Sequence, residues 1–280
     1  MAFGIIMSIV LVGATGCILG FFLSFMSEKF KVETNPKEEE VLAALPGNNC
    51  GGCGFPGCSG CAKAIANGEA PVDQCPVGGA PVAAEIAKIM GVEAEAKEPE
   101  VAFVRCNGTC ENAKNKYEYS GVNSCSAMAL VPGGGPKSCS FGCMGFGDCV
   151  EACQFDAIHI VDGISLVDPD ACKGCGACAK ACPRNIIEMI PKSSTEMVLC
   201  RNKNKGKAVM DVCSVGCIAC GLCEKNCPSD AIHVVDNIAH IDQSKCTGCG
   251  TCVTKCPRKI IHIIGDAPAP ADDKAANATA

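Results

Sequence analysis

The longest unbroken pattern in the chain is apolar. From Ile5 to Met26 it reads "IIMSIVLVGATGCILGFFLSFM", 22 residues without a charge, which predicts one continuous helix. At about 1.5 Å per residue such a helix is roughly 33 Å long, enough for a hydrocarbon layer of about 30 Å. Gly13, Gly16 and Gly20, with Ala14 and Thr15, leave room for neighbouring helices to approach. No basic stretch precedes the run and no clear small-residue cleavage site follows it. Residues 1–27 are therefore expected to be a retained transmembrane anchor rather than a removed signal. Lys29 and Lys31 follow the run while no side-chain charge precedes it, so the body of the chain is expected on the cytoplasmic side. Cys17, inside the run, reads as a small apolar contact residue.

Beyond this segment the apolar positions come in short pieces. Ser59 to Asn67 predicts a helix, and Pro81 to Met90, "PVAAEIAKIM", predicts another with proline in its first turn. Further on, the apolar residues shrink to β-branched runs such as Ile186-Ile187 and Ile260-Ile261, the mark of short strands. Residues 265–280, "GDAPAPADDKAANATA", form a low-complexity tail expected to be disordered. The mixture predicts an α+β class.

Self-comparison sharpens the picture. Cys143 to Ile190 aligns with Cys217 to Ile264 at an offset of 74 without a gap, and "DAIHIVD" falls on "DAIHVVD". Such an alignment indicates a duplicated module. Each copy has two halves of the form Cys-x2-Cys-x2-Cys-x3-Cys-Pro. Three halves are intact, Cys172 to Pro183, Cys217 to Pro228 and Cys246 to Pro257, and a fourth, Cys139 to Cys153, is altered.

The 280 residues include 27 cysteines, four histidines and no tryptophan. Length, an odd count and the close spacing of the cysteines argue against a disulfide scaffold and for metal binding. The repeated half-motif is the bacterial ferredoxin signature, in which the fourth cysteine of one half ligates the cluster of the other. Zinc sites prefer two separated pairs of ligands. The crossed pattern predicts one [4Fe-4S] cluster on Cys217, Cys220, Cys223 and Cys256, and another on Cys246, Cys249, Cys252 and Cys227. In the first module, Cys172, Cys175 and Cys178 join Cys153. For the remaining cluster Phe146 stands where Cys220 does, leaving Cys143, Cys149 and Cys182, with Cys139 as the candidate for the missing thiolate.

A further stretch, "GNNCGGCGFPGC" from Gly47 to Cys58, sets Cys50, Cys53 and Cys58 among glycines. Glycine lets the backbone come close to an inorganic core and aim its amides at sulfide. Cys75, followed by Pro76, is the preferred fourth ligand, with Cys61 as its competitor. Cys106, Cys110, Cys125, Cys200 and Cys213 are candidates for a further cluster, giving at least five clusters and up to six.

An N-terminal apolar helix, then "CGGCGFPGC" with a distant "CP", then ferredoxin modules, resembles the B subunit of the Rnf complex, the membrane-bound ferredoxin:NAD⁺ oxidoreductase that transports Na⁺ or H⁺. The resemblance runs from Ile5 to about Ile264. It implies that Cys50, Cys53, Cys58 and Cys75 hold a [4Fe-4S] cluster, and that the ferredoxin-like part passes electrons from soluble ferredoxin towards membrane and flavin-containing partner subunits at the cell inner membrane. The chain departs from smaller relatives by carrying two ferredoxin-like modules. The expected organisation is an anchor over 1–27, a small Gly/Cys-rich [4Fe-4S] domain over 28–100, a Cys-containing connecting segment over 101–138, module 1 over 139–191, a basic connecting segment over 192–212, module 2 over 213–264, and the tail.

Charge adds two points. The net charge of −6 argues against a nucleic-acid partner. Locally, five bases face one acid between Lys192 and Lys207, and Lys203, Lys205 and Lys207, with Arg201, are candidates for steering an acidic ferredoxin. No Ser-His-Asp set, phosphate-cradling glycine loop or metal-bound general base stands out, so no catalytic residue is expected and the chemistry is the cofactor's. His159 and His233 occupy one slot of the repeat and read as structural. The competing function is a polyferredoxin of a membrane hydrogenase or formate dehydrogenase.

Overall fold

The computed structural model describes residues 2–29, 35–93 and 98–264. Lys31 and the tail 265–280 lie outside the described residues, as do the side chains of residues 2–6, 8–10, 12 and 27–29. Helix α1 (Ala2–Lys29) runs through the apolar segment. Counted over the described residues alone, no helix is long and apolar enough to cross a membrane.

The next domain is helical. Helix α2 (Pro36–Ala44) begins at Asn35, whose side chain accepts from Lys37 N at 3.1 Å, with Pro36 at the first position. Helix α3 (Cys58–Ala66) and helix α4 (Gly79–Met90) cover the two expected helices. Helix α4 stops at Gly91, whose φ of 74° makes the left-handed cap. Val41, Leu45, Ile65 and Ile86 close the core between them, and Cys61 is buried with them.

Each module is two halves built round short antiparallel pairs. In module 1, strand β1 (Glu100–Val104) pairs with strand β4 (Ile187–Pro191), and strand β2 (Ile158–Val161) pairs with strand β3 (Ile164–Val167). In module 2, strand β5 (Glu196–Val198) pairs with strand β8 (Ile261–Ile263), and strand β6 (Ile232–Val235) pairs with strand β7 (Ile238–Ile241). The β2–β3 hairpin turns at Asp162-Gly163 and the β6–β7 hairpin at Asp236-Asn237, all four with positive φ, as the tight primed turns require. β1 and β5 arise in the segments expected to be connectors, and both are edge partners of a module.

The module interiors mix thiols with a few branched residues. Ile158, Ile164, Ile186 and Ile187 surround Cys143, Cys149 and Cys178, while Ile232, Ala239, Ile260 and Ile261 surround Cys217, Cys223 and Cys252. Short helices α6 (Asp148–Glu151), α7 (Ala177–Ala181), α9 (Leu222–Lys225) and α10 (Thr251–Lys255) carry the third cysteine of each half-motif, while α5 (Cys125–Leu130) opens on Cys125 and α8 (Lys207–Val212) leads into Cys213. The modules interlock. Asn107 N donates to Leu199 O at 3.1 Å, Lys114 N to Val212 O at 3.1 Å and Ser214 N to Asn112 O at 2.8 Å.

Candidate functional site: a row of thiol sets

The cysteines gather into sets. Three cavities of similar size are each lined by four of them. One of about 360 Å³ is lined by Cys217, Cys220, Cys223 and Cys256, the expected crossed combination. One of about 330 Å³ is lined by Cys125, Cys143, Cys149 and Cys182. The third, about 400 Å³, lies between the modules and is lined by Cys106, Cys139, Cys200 and Cys213.

These placements correct one expectation. Cys139, assigned beside Cys143, Cys149 and Cys182, lines the inter-module cavity instead, and Cys125 stands where Phe146 lacks a thiol. The reason is local. The Asp148 carboxylate accepts from Cys125 N at 2.6 Å, Ser126 N at 2.9 Å, and the hydroxyls of Ser126 at 2.6 Å and Ser124 at 3.2 Å. Those bonds draw the start of α5 against α6. Cys110 is exposed at the hairpin turn, its N–H donating to Asp162 O at 2.8 Å.

The inter-module cavity has a two-fold logic. Cys139 and Cys213 are 74 apart, the offset of the repeat. Cys106 and Cys200 each follow the first strand of a module. Cys143 N donates to Cys106 Sγ at 3.3 Å, and Cys217 N, 74 residues on, donates to Cys200 Sγ at 3.4 Å. Gly108 N reaches Cys106 Sγ at 3.4 Å just as Asn202 N reaches Cys200 Sγ at 3.5 Å. The buried Asn202 amide also donates across the interface to Cys139 Sγ at 3.5 Å. A Cβ on Gly142 would stand 3.2 Å from Cys106 Sγ and 3.6 Å from Cys139 Sγ, so glycine keeps this wall open.

The other sets follow the repeat. Cys178 lies within electrostatic reach of Cys172, Cys175 and Cys153. Cys252 lies within reach of Cys246. Cys153 Sγ accepts from Ala157 N at 3.4 Å, and Cys227 Sγ, its repeat partner, accepts from Ala231 N at 3.3 Å. Cys249 is exposed. In the N-terminal domain Cys75 lies within reach of Cys53 and Cys50, and the amides of Val77 and Gly78 point at its sulfur. Cys61 is buried in the same core next to Cys53, and burial, with Cys53 adding to it, pushes its thiol up to about 12.

The sets adjoin one another. A Cβ on Gly52 would fall 2.7 Å from Cys175 O, so the Cys50 loop rests directly on module 1, and Lys180 Nζ donates to Gly51 O at 3.5 Å. α6 packs on α7, and α9 on α10, bringing Cys149 towards Cys178 and Cys223 towards Cys252. The Cys143 and Cys217 amides link the inter-module set to both of its neighbours.

The linings suit an anionic inorganic core. Backbone amides face the sulfurs, which stabilises added negative charge. Among the described residues, no three His, Cys, Asp or Glu side chains draw together round the point of a single metal ion. The thiols stand instead round cavities, as ligands to separate corners of a larger core do. His159 and His233 turn to carboxylates, Asp156 at 4.0 Å and Glu224 at 3.5 Å.

Sequence reasoning missed Asp148, Asn202, Arg184 and Arg258. The two arginines carried a signal, because each follows a Cys-Pro pair at the repeat offset of 74.

Comparison with known proteins agrees with the chemistry. A family model described as "Putative Fe-S cluster" matches residues 45–77, and one described as "4Fe-4S dicluster domain" matches residues 171–231 and 216–260. The chain therefore carries multiple [4Fe-4S] sites. Over 242 residues, 86% of this chain, it is 46% identical to the B subunit of the Na⁺-translocating ferredoxin:NAD⁺ oxidoreductase complex of Acetobacterium woodii, covering 72% of that protein. It is 45% identical over the same share to the B subunit of the ion-translocating oxidoreductase complex of Methanosarcina acetivorans, covering 91%. It is also 45% identical to the B subunit of the proton-translocating ferredoxin:NAD⁺ oxidoreductase complex of Clostridium ljungdahlii, covering 85%. With identity of this level over most of both sequences, the chain belongs to the family of Rnf complex B subunits.

Proposed function

We propose that the chain takes single electrons from reduced ferredoxin and relays them through six [4Fe-4S] clusters to membrane and flavin-containing subunits of an Rnf complex, working as part of an ion-translocating ferredoxin:NAD⁺ oxidoreductase. The observation that carries this reading is the row of adjoining thiol sets. In order they are Cys50, Cys53, Cys58 and Cys75; Cys153, Cys172, Cys175 and Cys178; Cys125, Cys143, Cys149 and Cys182; Cys106, Cys139, Cys200 and Cys213; Cys217, Cys220, Cys223 and Cys256; and Cys227, Cys246, Cys249 and Cys252. Only Cys17, Cys61 and Cys110 are left over. When bound, each cubane supplies a one-electron site whose potential depends on burial, charge and hydrogen bonds to sulfur.

The ends of the row suggest a direction. The Cys50 set sits in the domain that follows α1, which we assign as a single membrane anchor with the body on the cytoplasmic side. The Cys246 set, with Cys249 exposed, lies at the other end and is the natural place of uptake. Of the basic candidates for steering ferredoxin, Lys205 and Lys207 are exposed, Lys203 pairs with Asp236 at 3.1 Å, and Arg201 is tied to Glu188 at 2.7 Å. Lys205 and Lys207 are the pair to reverse in charge. The expected result is slower electron uptake with a weaker dependence on salt.

Iron and sulfide analysis of anaerobically prepared protein tests the cluster count. Six sites give about 24 irons per chain and five give about 20. A content of about 20 unchanged by Cys200→Ala or Cys213→Ala would remove the inter-module site from the reading.

A further inference from the structure

The inter-module cavity differs from its neighbours in the charge around it. Lys137 is 6% exposed, lines the cavity, and its Nζ donates to Gly108 O at 2.8 Å and Gly163 O at 2.6 Å. Arg184 Nη1 donates to Cys139 O at 3.0 Å and Gly142 O at 2.7 Å, and its Nη2 to Gly134 O. Arg258 Nη2 donates to Cys213 O at 2.9 Å and its Nε to Gly216 O at 3.4 Å. The acceptors repeat as the donors do: Cys139 with Cys213 and Gly142 with Gly216, each pair 74 apart. One arginine from each module thus clasps the loop that presents that module's thiol.

All three cations are held by neutral carbonyls. Among the described residues no carboxylate forms an ion pair with any of them. The outermost set is the reverse case. There the Glu196 carboxylate is 1% exposed, accepts from Gly250 N at 2.9 Å and stands 3.2 Å from Cys246 Sγ.

Reduction of a four-thiolate cubane adds one negative charge without any bond being made or broken. A fixed positive charge nearby stabilises the reduced form, and does so most strongly where water is excluded. Amides aimed at sulfur are common to several sets and do not distinguish this one. The number of unpaired cations does: Arg184 also lines the Cys143 cavity and Arg258 the Cys217 cavity, one each, whereas the inter-module set has both half-buried arginines on its loops and the buried Lys137 in its own wall.

We propose that Lys137, Arg184 and Arg258 are potential-setting residues that make the inter-module site the most readily reduced of the row, so that electrons delivered to either module collect there. The proposal rests on the reading of Cys106, Cys139, Cys200 and Cys213 as ligands given above. None of the three cations touches the reacting core; they act through its field.

The test is an EPR-monitored redox titration of the full-length protein prepared anaerobically, with dithionite as reductant. In the wild type, the signal with the least negative midpoint should be the one that disappears in Cys200→Ala, together with about four irons. Lys137→Met should move that midpoint to more negative potential with iron content and the other signals unchanged. Arg258→Gln should move it in the same direction together with the signal of the Cys217 set, whose cavity Arg258 also lines, and Arg258→Lys should restore most of both shifts. Retention of all iron in Cys200→Ala overturns the ligand reading itself. Loss of about four irons with loss of a signal that is not the least negative overturns the charge proposal alone, and that comparison needs no charge variant to fold. Iron-replete charge variants with unmoved midpoints overturn it as well.

Discussion

At the scale of single residues, Ala219 holds a φ of 56°, in the left-handed region, where Gly145, Gly174 and Gly248 occupy the same slot of the other half-motifs. A side chain there is strained, and glycine relieves the strain at some entropic cost to the unfolded chain. Ala219→Gly is expected to stabilise the loaded protein by about 0.5–1 kcal/mol, read as a higher urea midpoint for loss of cluster absorbance. The thiols themselves make a second prediction. Burial pushes Cys106, Cys178 and Cys252 up to about 12 and Cys149, Cys200 and Cys223 up to about 11. Before loading they are protonated at neutral pH, so anaerobic reconstitution should release about four thiol protons per site in a pH-stat, over and above those that bisulfide gives up on entering the core. The sign for the unloaded fold follows. These thiols contribute stability that is whole below the ordinary cysteine value of 9.0 and disappears as pH climbs towards 12. The grouping of the cysteines was legible in spacing and repeat, as round the cavity of Cys217, Cys220, Cys223 and Cys256, but the exchange of Cys139 for Cys125 round another was not. That exchange depends on a side chain, Asp148, reaching across 23 positions, which no local pattern carries.

At the scale of elements, helix α5 is six residues long and cannot hold itself. Ser124 caps it, accepting from Ala127 N at 3.3 Å, and Asp148 ties it to α6. Burial pushes the Asp148 carboxyl up, but the hydrogen bonds from Ser126, Cys125 and Ser124 outweigh it and leave the group below the usual carboxylate range. Its contribution to stability is therefore full above about pH 4 and is lost as pH falls through the lowered value. Asp148→Ala should cost about 2 kcal/mol and release about four irons, measured by denaturation and iron analysis. The hairpins β2–β3 and β6–β7 could be anticipated from the repeated "DAIH" run and its turn residues. Strands β1 and β5 could not. Each is a short stretch in an apparent connector, and its partner is the last strand of a module, β4 or β8, so only closure of the whole module reveals it.

At the scale of the molecule, the contact between the N-terminal domain and module 1 is close enough to probe with one methyl group. Gly52 has no positive-φ requirement, yet a Cβ there would meet Cys175 O at 2.7 Å. Gly52→Ala should therefore leave all iron in place while parting the two domains. The expected outcome is a weaker magnetic interaction between their reduced clusters in EPR and slower transfer between them. The N-terminal helix, the glycine-rich cysteine loop and the doubled module could be read in advance, but the way the modules face one another could not, because the offset of 74 says that two copies exist and nothing about how they meet. Their meeting is what makes the cavity of Cys106, Cys139, Cys200 and Cys213. Each copy supplies two of those sulfurs, so on the proposed reading neither would bind the group on its own, and a pair of modules would accommodate five cofactors where two separate modules would total four. Duplication would then enlarge the inventory without any newly invented binding motif, and the proposed reading predicts that deletion of either copy removes three clusters, its own two and the one it shares, as about 12 irons lost.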